Sequence, residues 1–137
     1  MRVLGLDIGS KTIGLAITDE LQLCAYPVIT LDRKGTAKDV QQILGYCKKY
    51  DTTELVIGLP LDMNDQETRR SKRVRVLGSA LENLGLIIHY EDESFSTITA
   101  YELMTALGTR KKKQQQLIDQ QAAVVILTSW LEKRNTQ

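Results

Sequence analysis

The sequence predicts an α/β fold in which one five-stranded mixed sheet is flanked by helices. Three short apolar runs follow one another closely at the start of the chain, and helical and strand patterns then alternate. The chain has 137 residues, of which 42% are hydrophobic and 26% are charged. This length and composition are typical of one globular domain with a buried core. We therefore expect a single domain over residues 1–137.

The N-terminal segment predicts an antiparallel meander of three strands. Its apolar runs cover residues 2–8, 12–18 and 23–31, and polar turn residues separate them. A parallel return would need a crossover of about a dozen residues or more. Because the connections here are much shorter, the three strands are expected to pair as hairpins.

Helical and strand patterns alternate over the middle of the chain. A first helix is expected over residues 35–50, and its buried stripe is Ala37, Val40, Leu44 and Cys47. The unbroken apolar run 55–59 predicts a strand that is buried on both faces, as parallel strands are. A second helix follows and ends at Gly85, and its buried stripe is Val74, Leu77, Leu81 and Leu84. Residues 86–90 predict the fifth strand.

The last part of the chain predicts two helices on either side of a basic segment. Ser96 or Thr97 is a suitable N-cap for a short helix through residue 107, with Gly108 at its boundary. The lysine- and glutamine-rich segment 109–116 is expected to be mobile. A final helix is expected over residues 117–133, and its inward face is Asp119, Ala122, Ala123, Ile126 and Trp130.

Composition limits the location and the chemistry of the protein. No apolar run approaches the roughly 20 residues that span a bilayer, and no secretory signal pattern begins the chain. We therefore expect a soluble, cytoplasmic protein. Cys24 and Cys47 lie apart without metal-ligand spacing, so both are expected to be buried free thiols.

The lysine and arginine residues are concentrated in two acid-free windows. The formal net charge is only +1, yet no acid stands between Glu67 and Glu82 or between Glu102 and Asp119. Nine of the 18 basic residues lie in these windows. Such clusters are typical of a phosphate-binding surface, although a solvated helix face with a charged loop has the same pattern. The candidate nucleic-acid-binding residues are Lys11, Arg69, Arg70, Arg73, Arg110, Lys111, Lys112 and Lys113.

Three acidic residues stand at unusual places in the pattern. Asp7 lies within the first apolar strand, Glu93 follows the fifth strand, and Asp119 lies on the apolar face of the last helix. Each has a structural alternative, such as closing a turn or favouring a helix N-terminus. Together, however, they predict a carboxylate cluster that repels itself unless a cation is bound.

Carboxylates without histidine or cysteine partners suit Mg²⁺ or Mn²⁺. Two such ions about 3.5–4 Å apart activate water and stabilise the leaving oxygen of a phosphodiester. Gly9 and Gly14 follow Asp7 at D-x-G-x(4)-G spacing and are expected to leave room for a ligand. The one histidine, His89, lies within a strand, where we expect it to pack and not to act as a base.

Four segments, in one order along the chain, carry a resemblance to a known family. They are LGLDIGSKTIGLAITD at 4–19, LVIGLPLDMN at 55–64, EDESFST at 91–97 and LIDQQAA at 117–123. The sequence resembles the YqgF/RuvX family, which is described as Holliday junction resolvase-like proteins and pre-16S rRNA nucleases. The resemblance implies an RNase H-like fold and metal-dependent phosphodiester cleavage. It implies that Asp7, Glu93 and Asp119 are the catalytic acids and the metal ligands.

Some positions depart from the family pattern. The family usually has Asp-Glu-Arg where this chain has Asp92, Glu93 and Ser94, and it often has a basic residue at the position of Thr12. The loop after the fourth strand reads Asp-Met-Asn-Asp at 62–65, without the family's glycine. All three carboxylates are present, but Ser94 lacks the bidentate phosphate donor that an arginine supplies.

These observations leave several functions open. The resemblance implies an endonuclease that processes the 5′ end of pre-16S rRNA in ribosome biogenesis, with rRNA precursor and ribosomal particles as partners. A Holliday junction resolvase that acts on branched DNA in recombination or repair is the alternative. A non-catalytic nucleic-acid-binding module and an ATP-dependent phosphotransferase are further classes, and the length of a single domain argues against the phosphotransferase. Both a monomer and a homodimer are compatible with the sequence.

Overall fold

The computed structural model describes residues 1–60, 68–92 and 111–135, apart from the side chains of residues 111–115. Within these ranges the strands are β1 (Leu4–Ile8), β2 (Thr12–Thr18), β3 (Ala25–Asp32), β4 (Glu54–Leu59) and β5 (Ile87–Asp92). The helices there are α1 (Thr36–Lys49), α2 (Arg69–Glu82) and α3 (Lys111–Asn135).

The strands form one mixed sheet in the order β3-β2-β1-β4-β5. β1 pairs antiparallel with β2, and β2 pairs antiparallel with β3. On its other side β1 pairs parallel with β4, which in turn pairs parallel with β5. The short turns and the long helical crossovers produce this arrangement, so the predicted fold class is confirmed.

Helices cover both faces of the sheet. Leu6 of β1 packs in one core cluster with Ile43 of α1 and Leu77 of α2. On the opposite face, Ala123 and Leu127 of α3 pack in a second core cluster. Because successive side chains of a strand point to opposite faces, Asp7 lies on the α3 face of β1.

Two predictions of buried side chains on the first two helices are wrong. Ala37 is exposed, while Asp39 and Ile43 are buried instead, because the inward face of α1 lies further round the helix. Leu84 is 56% exposed, since α2 ends at Glu82 and the helical periodicity stops with it.

The prediction that both cysteines are buried is wrong for one of them. Cys47 is buried in α1, as expected, but Cys24 is exposed in the connection between β2 and β3. The predicted strand began at residue 23, where the apolar run begins, but β3 starts only at Ala25.

The basic segment, which was expected to be mobile, is helical over residues 111–116. These residues form the start of α3, which continues upstream of the predicted boundary. Lysine and glutamine are good helix formers, so a helix that is already nucleated continues through them. The helix predicted before Gly108 lies outside the described residues. Among the described helices, none has the length and apolarity to cross a membrane.

Candidate functional site

A cavity of about 620 Å³ lies at the C-terminal end of β1, and we call it the Asp7 cavity. It is lined by Asp7, Ile8, Gly9, Ser10, Lys11, Thr12, Arg70, Arg73 and Asp119. The fold thus brings together two of the three predicted acids with three of the predicted cations. The carboxylates come from opposite ends of the chain and from different elements.

Gly14 explains how the two acids meet. It lies opposite Asp7 in the pairing of β1 with β2. A Cβ atom on Gly14 would lie only 2.0 Å from the backbone oxygen of Asp119, which no side chain tolerates. The missing side chain therefore allows the backbone of α3 to lie against the strand. Asp7 and Asp119 are only 6% and 7% exposed in this arrangement.

The expectation that Gly14 leaves room for a ligand is wrong, because the backbone of α3 occupies that space. Gly9 has a different role. Its N–H donates to the carbonyl of Thr12 at 2.8 Å, and this bond closes the turn between β1 and β2. A Cβ atom on Gly9 would lie 3.2 Å from the same carbonyl oxygen, so the turn is tight there.

Thr12 contacts Asp119 directly. Its hydroxyl Oγ1 donates a hydrogen bond of 2.6 Å to Oδ2 of Asp119, across 107 residues of sequence. Sequence reasoning noted Thr12 only as a departure from the family pattern. No local spacing reveals the contact, because it depends on how α3 lies on the sheet.

An ion pair between Arg33 and Asp39 stabilises the turn between β1 and β2. Arg33 donates from Nε to Oδ2 of Asp39 at 3.1 Å and from Nη1 to the carbonyl of Gly9 at 3.1 Å. Its own N–H donates to the carbonyl of Lys11 at 2.8 Å. Asp39 is fully buried, and a buried carboxylate is stable only when it is paired in this way. Arg33 and Asp39 were missed, since a charged pair six residues apart is common on protein surfaces.

The cations of the cavity have defined positions. Thr68 and Ser71 cap the start of α2 by reciprocal bonds between side chain and backbone, of 2.6 and 3.3 Å. Arg70 and Arg73 stand three residues apart on the first turns of this helix, and therefore share the face that lines the cavity. Neither they nor Lys11 forms an ion pair with another described residue.

The other predicted cations have different positions. Arg69 is exposed and is not among the residues that line the cavity. The backbone of residues 111–113 forms the start of α3, whereas their side chains lie outside the described part. Arg110 and Glu93 also lie outside it, so the structure does not test the three-acid cluster. Among the described residues there is no group of three or more histidine, cysteine or acidic residues that suits a metal ion.

A second charged region lies between β4, β5 and the end of α3, and we call it the Trp130 groove. Its lining residues are Glu54, His89, Trp130, Lys133 and Arg134, around a cavity of about 430 Å³. His89 donates a 2.7 Å hydrogen bond from Nε2 to Oε1 of Glu54, and its ring centroid lies 5.1 Å from that of Trp130. His89 thus packs within its sheet, as expected, and does not line the Asp7 cavity.

Glu91 belongs to the same region. It is 5% exposed, and its Oε1 accepts hydrogen bonds from the hydroxyl of Ser129 and the ammonium group of Lys133. Glu91 therefore joins β5 to α3. This contact gives it a structural role, which separates it from the acids of the Asp7 cavity.

Comparison with known proteins identifies the family. Residues 1–133 match the family described as "RuvX: Holliday junction resolvase". The chain belongs to the RuvX family. Two relatives named "Putative pre-16S rRNA nuclease" are each 37% identical to this RuvX-family chain. The alignment covers 99% of the relative from Lachnospira eligens and 98% of the relative from Anaeromyxobacter dehalogenans. Each alignment covers 98% of this chain.

Solved structures agree on the fold. T. thermophilus RuvC in complex with a Holliday junction substrate matches with a TM-score of 0.59 at 16% identity, over 98% of this chain and 96% of that one. Fowlpox virus resolvase in complex with Holliday junction DNA matches with a TM-score of 0.58 at 12% identity, over 98% and 99%. The RNase H-like fold of the RuvX-family chain is thereby confirmed, and its family places it among hydrolases of nucleic-acid phosphodiester bonds.

Proposed function

We propose that this chain is a divalent-cation-dependent endonuclease whose catalytic and metal-binding acids are Asp7, Glu93 and Asp119. One observation carries the proposal. Two buried carboxylates from distant parts of the sequence line one cavity together with cations that form no ion pair with a described acid. A nuclease needs both kinds of charge side by side, because its substrate is a polyanion and its cofactor is a cation.

The residues of the cavity fit a hard metal ion. Asp7 and Asp119 supply carboxylate oxygens, which Mg²⁺ and Mn²⁺ prefer over nitrogen or sulfur. Glu93, which the family resemblance assigns, adds a third carboxylate from the segment after β5. When bound, a pair of such ions supplies activation of the attacking water and stabilisation of the leaving oxygen.

The cations account for substrate binding. Arg70 and Arg73 present two guanidinium groups to the cavity, and Lys11 presents an ammonium group from the turn. Guanidinium groups bind phosphate oxygens in a bidentate manner and hold the backbone at a defined angle. Arg69, Arg110 and the lysine run 111–113 are proposed to bind further phosphates, on the basis of the acid-free windows in which they stand.

The substrate we propose is the 5′ end of precursor 16S rRNA, with a role in ribosome biogenesis in the cytoplasm. The names of full-length relatives at 37% identity support this choice over DNA. The proposed partners are therefore the rRNA precursor and the ribosomal particle that contains it.

A second candidate is resolution of branched DNA in recombination or repair. The description of the family as Holliday junction resolvases favours it. The chemistry at the Asp7 cavity would be the same, so only the choice of substrate separates the two.

Parallel incubation with two substrates tests these candidates. Labelled precursor 16S rRNA and a labelled four-way DNA junction are each mixed with the protein in Mn²⁺, in Mg²⁺ and in EDTA. Asp7→Asn is the matched control, because it keeps the shape of the side chain and removes its charge. We expect metal-dependent cleavage of the RNA by the wild type alone. Cleavage of the junction only would favour the second candidate, and binding without cleavage in any metal would contradict the enzyme.

A further inference from the structure

The hydrogen bond from Thr12 to Asp119 points to a role for a residue that lies outside the predicted acids and cations. We propose that Thr12 is a positioning residue, which holds the carboxylate of Asp119 in the orientation that binds the divalent cation. The inference rests on the proposed function, because it assumes a cation at Asp119. It adds Thr12, at the turn between β1 and β2, to the residues that determine the metal affinity.

Both ends of the hydrogen bond are held rigidly. Thr12 begins β2, and its carbonyl accepts the N–H of Gly9 at 2.8 Å, which fixes the backbone of the turn. Threonine is β-branched and therefore has few χ1 rotamers. On the other side, the backbone of Asp119 lies against Gly14. The 2.6 Å bond between the two side chains then restricts rotation of the carboxylate itself.

The chemistry of the bond suits a metal ligand. A hydroxyl that donates to one oxygen of a carboxylate restrains its orientation, and ligating carboxylates are commonly hydrogen-bonded in this way. Thr12 does so without bringing a positive charge into the site. Polar groups that orient a ligating side chain typically change metal affinity by about 10- to 100-fold when they are removed.

The chain contains a matched control in Thr30 of β3. Its Oγ1 donates to the carbonyl of Gln116 at 2.8 Å and accepts from Nε2 of Gln120 at 3.2 Å. Thr30 thus ties the same part of α3 to the sheet through the same kind of side chain. These bonds reach the residues on either side of Asp119 in the helix but not its carboxylate.

The test measures Mn²⁺ binding by isothermal titration calorimetry and the rise in melting temperature that Mn²⁺ causes. The proteins are the wild type, Thr12→Val, Thr12→Ser and Thr30→Val. We expect Thr12→Val to bind Mn²⁺ about 10-fold more weakly or worse, and Thr12→Ser to remain close to the wild type. Thr30→Val should melt at a lower temperature in EDTA, since its hydrogen bonds to the helix are removed, but keep its Mn²⁺ affinity.

Each outcome supports or overturns the inference. If Thr12→Val binds Mn²⁺ as the wild type does, or if Thr30→Val loses as much affinity, Thr12 has no specific role at Asp119. If the wild type itself shows no Mn²⁺ binding, the proposed metal site is wrong. A wild type that binds Mn²⁺ beside a Thr12→Val variant that binds it equally well contradicts only the role of Thr12. Should Thr12→Val not fold, Thr12→Ala removes the same hydroxyl without a new methyl group against the carboxylate. In an Asp119→Asn background, removal of the Thr12 hydroxyl should cause no further loss of affinity.

Discussion

The Asp7 cavity and the Trp130 groove are both charged and both include residues of α3, but they arrange their charges differently. In the Trp130 groove, Nη1 of Arg134 lies 3.7 Å from Oε1 of Glu54, and its Cζ lies 5.0 Å from the ring centroid of Trp130. Lys133 binds the buried Glu91 in the same region. In the Asp7 cavity, Lys11, Arg70 and Arg73 form no ion pair within the described ranges. The first arrangement uses charge to hold the helix on the sheet, and the second leaves charge available for a ligand.

This difference shows how to separate structural charge from functional charge. A cation that contacts an acid of its own chain has little electrostatic attraction left for a phosphate. A cation that forms no ion pair keeps more of its attraction for a phosphate, and the low-dielectric walls of a cavity concentrate its field. Counting basic residues along the sequence does not distinguish the two cases.

Gly14→Ala should have the largest effect, because its Cβ atom would overlap the backbone of Asp119 at 2.0 Å. We expect a loss of about 3 kcal/mol or more in the free energy of unfolding, since a backbone segment cannot move aside as a side chain does. The Asp7 cavity would be disrupted at the same time. Urea denaturation and Mn²⁺-dependent cleavage measure the two effects.

Gly45→Ala is the control for this substitution. Gly45 lies in α1 with nothing within 4 Å of its added Cβ atom, so alanine should stabilise the helix by about 0.5–1 kcal/mol.

Thiol labelling at pH 8 measures the opening of the core in the two glycine variants. Burial raises the pKa of Cys47 to about 11, whereas Cys24 is exposed. We expect immediate labelling of Cys24 alone, and faster labelling of Cys47 in Gly14→Ala only.

Asp7→Asn should reduce cleavage to the level seen in EDTA while leaving the metal-free protein equally or more stable. The reason is that Asp7 shares its cavity with a second buried carboxylate, so removal of one charge relieves repulsion. Melting temperatures in EDTA and in excess Mg²⁺ measure this. Binding of a cation to the native state raises the melting temperature of the wild type, and the rise should shrink in Asp7→Asn, Glu93→Gln and Asp119→Asn. Three variants that melt lower in EDTA but respond to metal normally would make these acids structural.

Glu91→Gln should behave in the opposite way, because this acid belongs to the Trp130 groove. The substitution removes the charge that Lys133 binds at a buried position and should cost about 1–2 kcal/mol in the free energy of unfolding. The Mn²⁺ affinity should be unchanged, and so should the cleavage rate at a temperature where the variant is folded. A variant that is stable but inactive would place Glu91 in the catalytic machinery and would break the contrast between the two regions.

The smallest effect concerns salt dependence of RNA binding, measured in EDTA to prevent cleavage. The slope of log K against log salt should flatten by about 0.7–0.9 for each phosphate that a variant no longer binds. We expect this change in a variant with both Arg70→Ala and Arg73→Ala, because these cations face the Asp7 cavity. Arg134→Ala should keep the wild-type slope, since Glu54 already engages that guanidinium. Equal slopes in all three proteins would show that charge pairing is no guide to phosphate binding here.

The lysine run at the start of α3 allows the same measurement. Replacing Lys111, Lys112 and Lys113 with alanine should flatten the slope if the run contacts phosphate. An unchanged slope would limit these side chains to solubility. Because alanine is a good helix former, the replacement should leave the helix intact, which circular dichroism can check.

The sequence alone determined the sheet and the elements that carry the acids. Apolar runs and helical periodicity depend on neighbours a few residues apart, so they predicted the meander, the parallel strands and the mixed sheet correctly. The same local patterns identified Asp7 and Asp119 as acids at apolar positions. Periodicity failed at Asp39, whose burial depends on its ion pair with Arg33, a residue outside the helix.

Only the tertiary structure decided which residues meet. The bond between Thr12 and Asp119 exists because Gly14 lets α3 approach the sheet, and no spacing along the chain encodes that approach. The packing of α2 on the sheet likewise decided that Arg70 and Arg73 line the Asp7 cavity while Lys72 and Arg75 line a separate groove. A one-dimensional pattern specifies the type of an element but only approximately the face it buries, as the exposed Ala37 of α1 shows. The packing of one element on another, which sets distances between side chains, depends on contacts across the whole chain.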